Sequence, residues 1–235
     1  MVQISDDTTP QCDAWEDLTS AVNHRKWLCS LARPHFGEDV LEIGSGAGHH
    51  AAEWADMGVR ITASEADRRR VDALRERFAR DARVTVRELV VPIAGTADYS
   101  TVVAVNVLEH IEDDVGALRS FANVLRHGGS VVLVVPAFEF AMSEFGRAVG
   151  HHRRYRTASL ARALTKAGLQ VTHCRYLDGP GLLGWYVARR LLGRWPRRGL
   201  AQSAYDAVCV PIERRIETRF GVPFGQSVFA VARRP

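Results

Sequence analysis

The sequence predicts an α/β protein built on a doubly wound, mostly parallel sheet. Three observations lead there. From residue 39 onward, short apolar runs alternate with longer segments of helical periodicity. The first run stops at "GSGAG" (44–48) and a helical pattern follows at once, the order of a strand, a ligand loop and a helix. The run "STVVAVNV" (100–107) is dense in valine, which suits a strand covered on both faces.

A first helix is expected over residues 13–32, where Ala14, Leu18, Val22, Leu28 and Leu31 recur at helical spacing ahead of Pro34. "DVLEI" (39–43) reads as a buried strand and "HHAAEWADMG" (49–58) as a helix closed by Gly58. "VRITASE" (59–65) is the second strand. "ADRRRVDALRERFARD" (66–81) is a charged helix with Val71, Leu74 and Phe78 on one face. "RVTVRELVV" (83–91) and residues 100–107 supply strands three and four. "EDDVGALRSFANVLRHGG" (112–129) reads as a helix, with Asp113 and Asp114 at its N-terminal end and Gly128-Gly129 as its stop. "SVVLVVP" (130–136) is strand five. "TASLARALTKAG" (157–168) is a helix capped by Thr157 or Ser159 and ended by Gly168. "LQVTHCRYL" (169–177) and "SVFAVARRP" (227–235) are strands six and seven. Two intervals, 136–156 and 178–220, break the alternation, and interruptions of that length in a compact domain tend to be functional.

The 235 residues, 46% hydrophobic and 25% charged, suit one globular domain. Residues 1–37 are expected as a helical cap, 38–177 as a ligand-binding core and 178–220 as a basic insertion before the last strand. No apolar run reaches roughly 18 residues, so no membrane-spanning helix is expected. The polar, acidic start is unlike a signal peptide. The four cysteines are scattered without a CxxC pair, which fits a reducing cytoplasm and neither a disulfide framework nor a zinc site. Charge is divided along the chain. Residues 1–150 carry 15 Lys+Arg against 23 Asp+Glu, a net −8; residues 151–235 carry 16 against 4, a net +12. A basic end suits an anionic partner, or is a solvated surface in an arginine-rich composition.

Gly44, Gly46 and Gly48 form GxGxG, and His49 stands where the dinucleotide fingerprint has its next glycine. Glu42 lies two residues before the turn. A carboxylate there repels pyrophosphate but attracts a sulfonium and an ammonium. Glu65, with Ala66 beside it, ends strand two at the distance of an acid that accepts ribose hydroxyls. Glu88, at the end of strand three, is placed to accept from an adenine amino group. This pattern favours S-adenosylmethionine over a dinucleotide.

"VLEIGSGAG", "NVLEHIEDD" and "LRHGGSVVLVVPA" together resemble the class I S-adenosylmethionine-dependent methyltransferases over roughly residues 38–175. The resemblance implies a seven-stranded Rossmann-like sheet, mostly parallel with an antiparallel last strand. It implies that Glu42, Gly44, Ser45, Gly46 and Gly48 surround the methionine moiety, that Glu65 holds the ribose and that Glu88-Leu89 meet the adenine. Asn106, Val107 and His110 border the methionyl group on the same grounds. "NHRKW" (23–27), "GHHRRY" (150–155) and "GVPFGQSVFAVARRP" (221–235) also resemble a bacterial subgroup that accompanies glycan and secondary-metabolite biosynthesis. Gly146 stands where that subgroup carries an acid.

Methyl transfer needs a positioned nucleophile and, for a hydroxyl or amine, a proton acceptor. The loop after strand five offers candidates. His151 or His152 is the expected base, with the resemblance favouring His151, and His110 is a rival. Arg153 and Arg154 suit an anionic group on the acceptor, and Tyr155 a hydrogen bond to it. No metal is expected, because no ligand spacing recurs at a strand end. In "GPGLLGWYVARRLLGRWPRR" (179–198), Val187, Ala188, Leu191, Leu192 and Trp195 fall opposite Arg189, Arg190 and Arg194 if the segment is helical. That suits an interfacial helix on an anionic membrane, a lid, or a helix packed on the sheet edge. The expected function is methyl transfer to a small-molecule or lipid- or glycan-linked acceptor, with oxygen as the expected methylated atom, in a biosynthetic pathway. The alternatives are a nucleic-acid methyltransferase, which the missing NPPY-like tetrad and RNA-binding domain disfavour, and a homologue that binds the cofactor without transfer.

Overall fold

A computed structural model describes residues 21–97, 99–142, 144–148, 150–184 and 205–235. Seven strands form one sheet in the order β3-β2-β1-β4-β5-β7-β6. They are β1 (Asp39–Ile43), β2 (Arg60–Glu65), β3 (Val84–Glu88), β4 (Tyr99–Val105), β5 (Leu125–Pro136), β6 (Gln170–Leu177) and β7 (Ser227–Arg233). β1 to β5 pair in parallel, while β7 lies antiparallel to both β5 and β6. The strand order reverses between β1 and β4, and the crevice above that reversal is where open α/β sheets take their ligands.

Alternation along each buried strand sends side chains to both faces. Val131, Leu133 and Val135 of β5 join Leu41 and Ile43 of β1 under helices α4 (Asp114–Asn123) and α6 (Thr157–Lys166). Val132 and Val134 join Val40 on the other face, beneath α1 (Val22–Ala32), α2 (His49–Asp56) and α3 (Arg68–Arg77). Trp27 and Trp54 are completely buried there. The predicted apolar face of α3 is real: Val71, Leu74 and Phe78 are all buried, and Asp67 caps the helix through the Arg69 N–H at 2.8 Å.

Several boundaries differ from expectation. The helix predicted over 112–129 ends at Asn123, and β5 begins at Leu125. Leu125 pairs with Tyr99 while Ser130 pairs with Thr101, so residues 126–129 bulge out of the strand. Gly128 has φ +74°, and hydrogen bonds between Gly128-Gly129 and Arg234 hold the bulge to the end of the chain. These glycines shape a bulge and do not stop a helix. β3 ends at Glu88. Neither Thr157 nor Ser159 is the cap of α6: Arg156 holds that position, and Ser159 Oγ accepts its N–H at 2.9 Å.

The interval 136–156 contains a 3₁₀ turn at Glu139–Ala141, a short α5 (Glu144–Ala148) and a parallel bridge between Ala137 and Tyr155. Of the expected first helix, residues 13–20 lie outside the described residues, as does the whole face of Val187, Ala188, Leu191, Leu192 and Trp195 with its opposing arginines. The described part of the second interval is knit to the sheet by buried acids. A π turn (Tyr205–Cys209) leads into α7 (Val210–Phe220). Glu217 accepts the N–H groups of Asp178 and Gly179 at 2.9 and 2.8 Å. The Tyr205 hydroxyl donates to Asp178 at 3.2 Å and also to Glu213. Asp206 accepts the N–H groups of Asn23 and His24 at the start of α1, each at 2.9 Å.

Candidate active site

The loop after β1 uses left-handed backbone at Gly44, Gly46 and Gly48, with φ of +68°, +54° and +76°, a region glycine enters without penalty. Two of these positions also lack room. A Cβ at Gly44 would meet Val107 Cγ2 at 2.7 Å, and one at Gly48 would meet Leu74 and Phe78 at 2.7 Å. Gly48 therefore lets α2 start hard against α3.

Around this loop the acids are tied into hydrogen bonds. Glu65 Oε2 accepts from the Gly46 N–H and Oε1 from the Ala66 N–H, both at 3.0 Å. The two bonds aim the carboxylate over the loop and leave further lone pairs for a ligand. Glu42 is 2% exposed and takes the Ser45 hydroxyl at 2.6 Å. Burial pushes its carboxyl up to about 7; the Ser45 bond works against this and the nearby Glu65 charge adds to it. Ser64 closes the circuit, donating from Oγ to the Glu42 carbonyl and from N–H to Ser45 Oγ. Glu88 pairs in register with Glu65 and is exposed at the sheet's carboxyl edge. Leu89 donates its N–H to the Glu65 carbonyl and packs on the core.

β4 ends in a comparable turn. Asn106 takes φ +53° and donates its N–H to the Val134 carbonyl at 2.8 Å. Val107 then covers Gly44, and a 3₁₀ turn (Leu108–His110) follows. The structure folds the 150–155 loop onto this turn. The His152 N–H donates to the Glu109 carbonyl at 2.8 Å, and the rings of His110 and His151 meet edge to face with centroids 4.5 Å apart. Gly150, at φ +86°, makes the reversal that brings them together.

Sequence reasoning passed over Glu109, although it lies inside "NVLEH". It is 0% exposed, and neither carboxylate oxygen has a hydrogen-bond partner. Burial raises its carboxyl to about 8, offset in part by the Arg154 charge. Nδ1 of His151 and Nε of Arg154 are likewise buried without partners. Burial, then His110 and Arg154, push the His151 imidazole down to about 4, far below the near-neutral titration of an ordinary histidine. Each unmade bond of this kind costs about 1–3 kcal/mol, so the cluster is stabilised from elsewhere in the fold.

The other loop residues are placed differently. Tyr155 is 2% exposed, and its hydroxyl donates to Asp114 at 3.0 Å; burial and Asp114 raise it well above the phenol range. This bond locks the loop to α4. Arg153 pairs with Asp114 at 3.0 Å and donates to the Glu112 carbonyl. Arg154 is anchored by its N–H on Glu139 and by Nη1 on the Ala137 carbonyl. His152 is exposed, and its backbone N–H is what ties the loop to Glu109.

A glycine loop and a ribose-type acid at the switch point of this strand order define the class, a doubly wound α/β protein built for an adenosyl cofactor. Comparison with known proteins makes it specific. The profile of a methyltransferase domain family matches residues 22–174, so the chain belongs to the S-adenosylmethionine-dependent methyltransferases. It is 33% identical over 109 residues to an uncharacterized methyltransferase of Mycobacterium leprae, covering 46% of this chain and 40% of that protein. It is 30% identical over 155 residues to a ubiquinone biosynthesis O-methyltransferase of Methylocella silvestris, covering 58% and 60%. The matches thus span about half the length of these relatives. The fold is similar to that of geranyl diphosphate C-methyltransferase from Streptomyces coelicolor, solved with Mg²⁺, geranyl diphosphate and S-adenosyl-L-homocysteine. That likeness has a TM-score of 0.61 at 13% identity and covers 88% of this chain and 79% of that one.

Proposed function

We propose that the protein transfers the methyl group of S-adenosylmethionine to an oxygen of a small-molecule or lipid- or glycan-linked acceptor, in a biosynthetic pathway of the kind the "GHHRRY" subgroup serves. The observation that carries the reading is the loop 150–155 folded onto the turn after β4. It sets His151 against His110 and Glu109, on the turn whose Val107 covers Gly44. The O-methyltransferase relatives support oxygen as the target. In this reading Glu42, Ser45 and the glycines face the methionine end, Glu65 and Ala66 the ribose, and Glu88 and Leu89 the adenine. Asn106, Val107 and His110 line the methyl side. His151 and Arg154 face the acceptor, and Tyr155 fixes their loop.

Residues 178–220 are the region we assign to acceptor access and to peripheral contact with anionic membrane, in a cytoplasmic protein. Among the described residues no helix is long and apolar enough to cross a membrane. α7 supports surface contact: Ile212, Ile216 and Phe220 are 52%, 48% and 78% exposed, on a helix that also carries Arg214, Arg215 and Arg219.

The decisive experiment is incubation with methyl-labelled S-adenosylmethionine and a cell extract separated into lipid, nucleic-acid and small-molecule fractions. Label is expected in the small-molecule or lipid fraction. Label in nucleic acid alone would replace this reading with the nucleic-acid one.

A further inference from the structure

We propose that Glu109, His110 and His151 form a site for a divalent transition-metal ion of the zinc type, whose open position takes the acceptor's hydroxyl oxygen. The inference rests on the methyl-transfer reading above and reverses the expectation that no metal is bound. That expectation came from spacing at single strand ends. Here two ligands are adjacent in one turn and the third arrives on a different loop.

One ligand atom from each of the three side chains lies within 4.8 Å of the others. Ligands about 2.0–2.2 Å from a tetrahedral ion sit closer together than that, so small side-chain rotations close the site. The donors are disposed for it. Both Glu109 oxygens and Nδ1 of His151 are buried with no partner in the protein. Two imidazoles and a carboxylate are a set that catalytic zinc sites use, with the fourth position left to a reacting oxygen. Imidazole nitrogens argue against Mg²⁺ and Ca²⁺, which take oxygen ligands. Glu109 closes the inner side while His110 and His151 are only half-buried, which leaves an outward face for the acceptor. The backbone bond from His152 to Glu109 fixes the two loops at the spacing the site requires.

The ion would bind the acceptor hydroxyl as its oxyanion, with the proton released to solvent, and so supply a nucleophile without a strong protein base. An oxygen lone pair then forms the new C–O bond as the C–S bond breaks. Both electrons of that bond pass to sulfur, and neutral S-adenosylhomocysteine leaves. Arg154, near Glu109, adds positive charge that favours the anionic form of the acceptor.

The test uses the full chain stripped with a chelator and titrated with Zn²⁺ and with Co²⁺. One equivalent of each is expected to bind, with Co²⁺ gaining the d–d absorption of a low-symmetry nitrogen–oxygen site and Mg²⁺ binding far more weakly. Glu109→Gln, His110→Ala and His151→Ala should each weaken Zn²⁺ binding by more than the about 10–100-fold that loss of an outer-shell partner costs. Circular dichroism of all three variants, and calorimetric S-adenosylmethionine binding by E109Q and H151A, run on the same samples, should be unchanged. Zn²⁺ affinity equal to wild type in both E109Q and H151A would overturn the site, as would no Zn²⁺ binding by wild type that still binds S-adenosylmethionine. That last result leaves the methyltransferase reading standing, whereas absent cofactor binding overturns the reading itself.

Discussion

The two halves of the crevice are built on opposite terms. On the β1–β2 side the polar groups answer one another: Glu65 holds two N–H groups, and Glu42, Ser45 and Ser64 close a circuit. On the β4–β5 side, Glu109, His151 and Arg154 keep buried atoms without partners. A pocket for an unvarying cofactor can be set in advance by bonds within the protein. A site for the reacting atoms needs donors held in place and left unspent, and the framework supplies the holding. Here that framework is the Tyr155–Asp114–Arg153 contact and the Arg154 anchors on Glu139 and Ala137.

The largest effect that can break this contrast lies on the unsatisfied side. His151→Gln is expected to reduce turnover by about 10²–10⁴-fold, the range for loss of a group acting on the reacting proton. Labelled-methyl transfer measures this, and S-adenosylmethionine affinity should be spared. Full turnover in the variant would move the chemistry away from this loop. On the satisfied side, Glu65→Ala should weaken the cofactor by about 1.5–3 kcal/mol for each charge-assisted bond lost. Calorimetry reads that loss directly, and an unchanged Kd would mean the ribose lies elsewhere.

Most of the satisfied side was legible in the sequence because its signals are local. "DVLEI" matches β1 to the residue, and the glycines, Glu65 and Glu88 follow at spacings fixed by two successive strand–helix–strand units. The valine runs gave β4 and β5 for the same reason. Gly128-Gly129 misled because glycine ends helices and builds bulges alike, and only pairing with Arg234 chooses between them. Tyr155 reads as a site residue until Asp114 is seen to take its hydroxyl. Glu109 and His151 come together only because β4 lies beside β5, a fact about sheet order that no short motif contains.

A smaller effect sharpens the electrostatics of the cofactor side. Burial holds the Glu42 carboxyl up at about 7 in the free protein, and a bound sulfonium and ammonium favour its charged form. Cofactor binding should then release up to one proton near pH 6. Affinity should rise with pH through about 7 and level off above it, by at most tenfold per unit. Calorimetry in buffers of different ionisation enthalpy detects the proton, and Glu42→Gln should flatten the profile. A flat wild-type profile would show that Glu42 does not sense the cofactor's charge. The smallest effect belongs to Tyr155→Phe. Loss of its bond to Asp114 should lower stability by about 0.5–1.5 kcal/mol in chemical denaturation while most turnover remains. A collapse of turnover at full stability would return Tyr155 to the acceptor side.

The buried acids behind β6 bear on how this protein can change. Glu217 grips Asp178 and Gly179, and Tyr205 reaches back to Asp178. The chain therefore leaves for residue 185 and returns at residue 205 through neighbouring anchor points. Lengthening a connection between fixed, adjacent ends costs only about 0.6 kcal/mol per doubling. The two ends of this insertion are thus fixed by bonds between β6 and α7 themselves, independently of the chain that joins them.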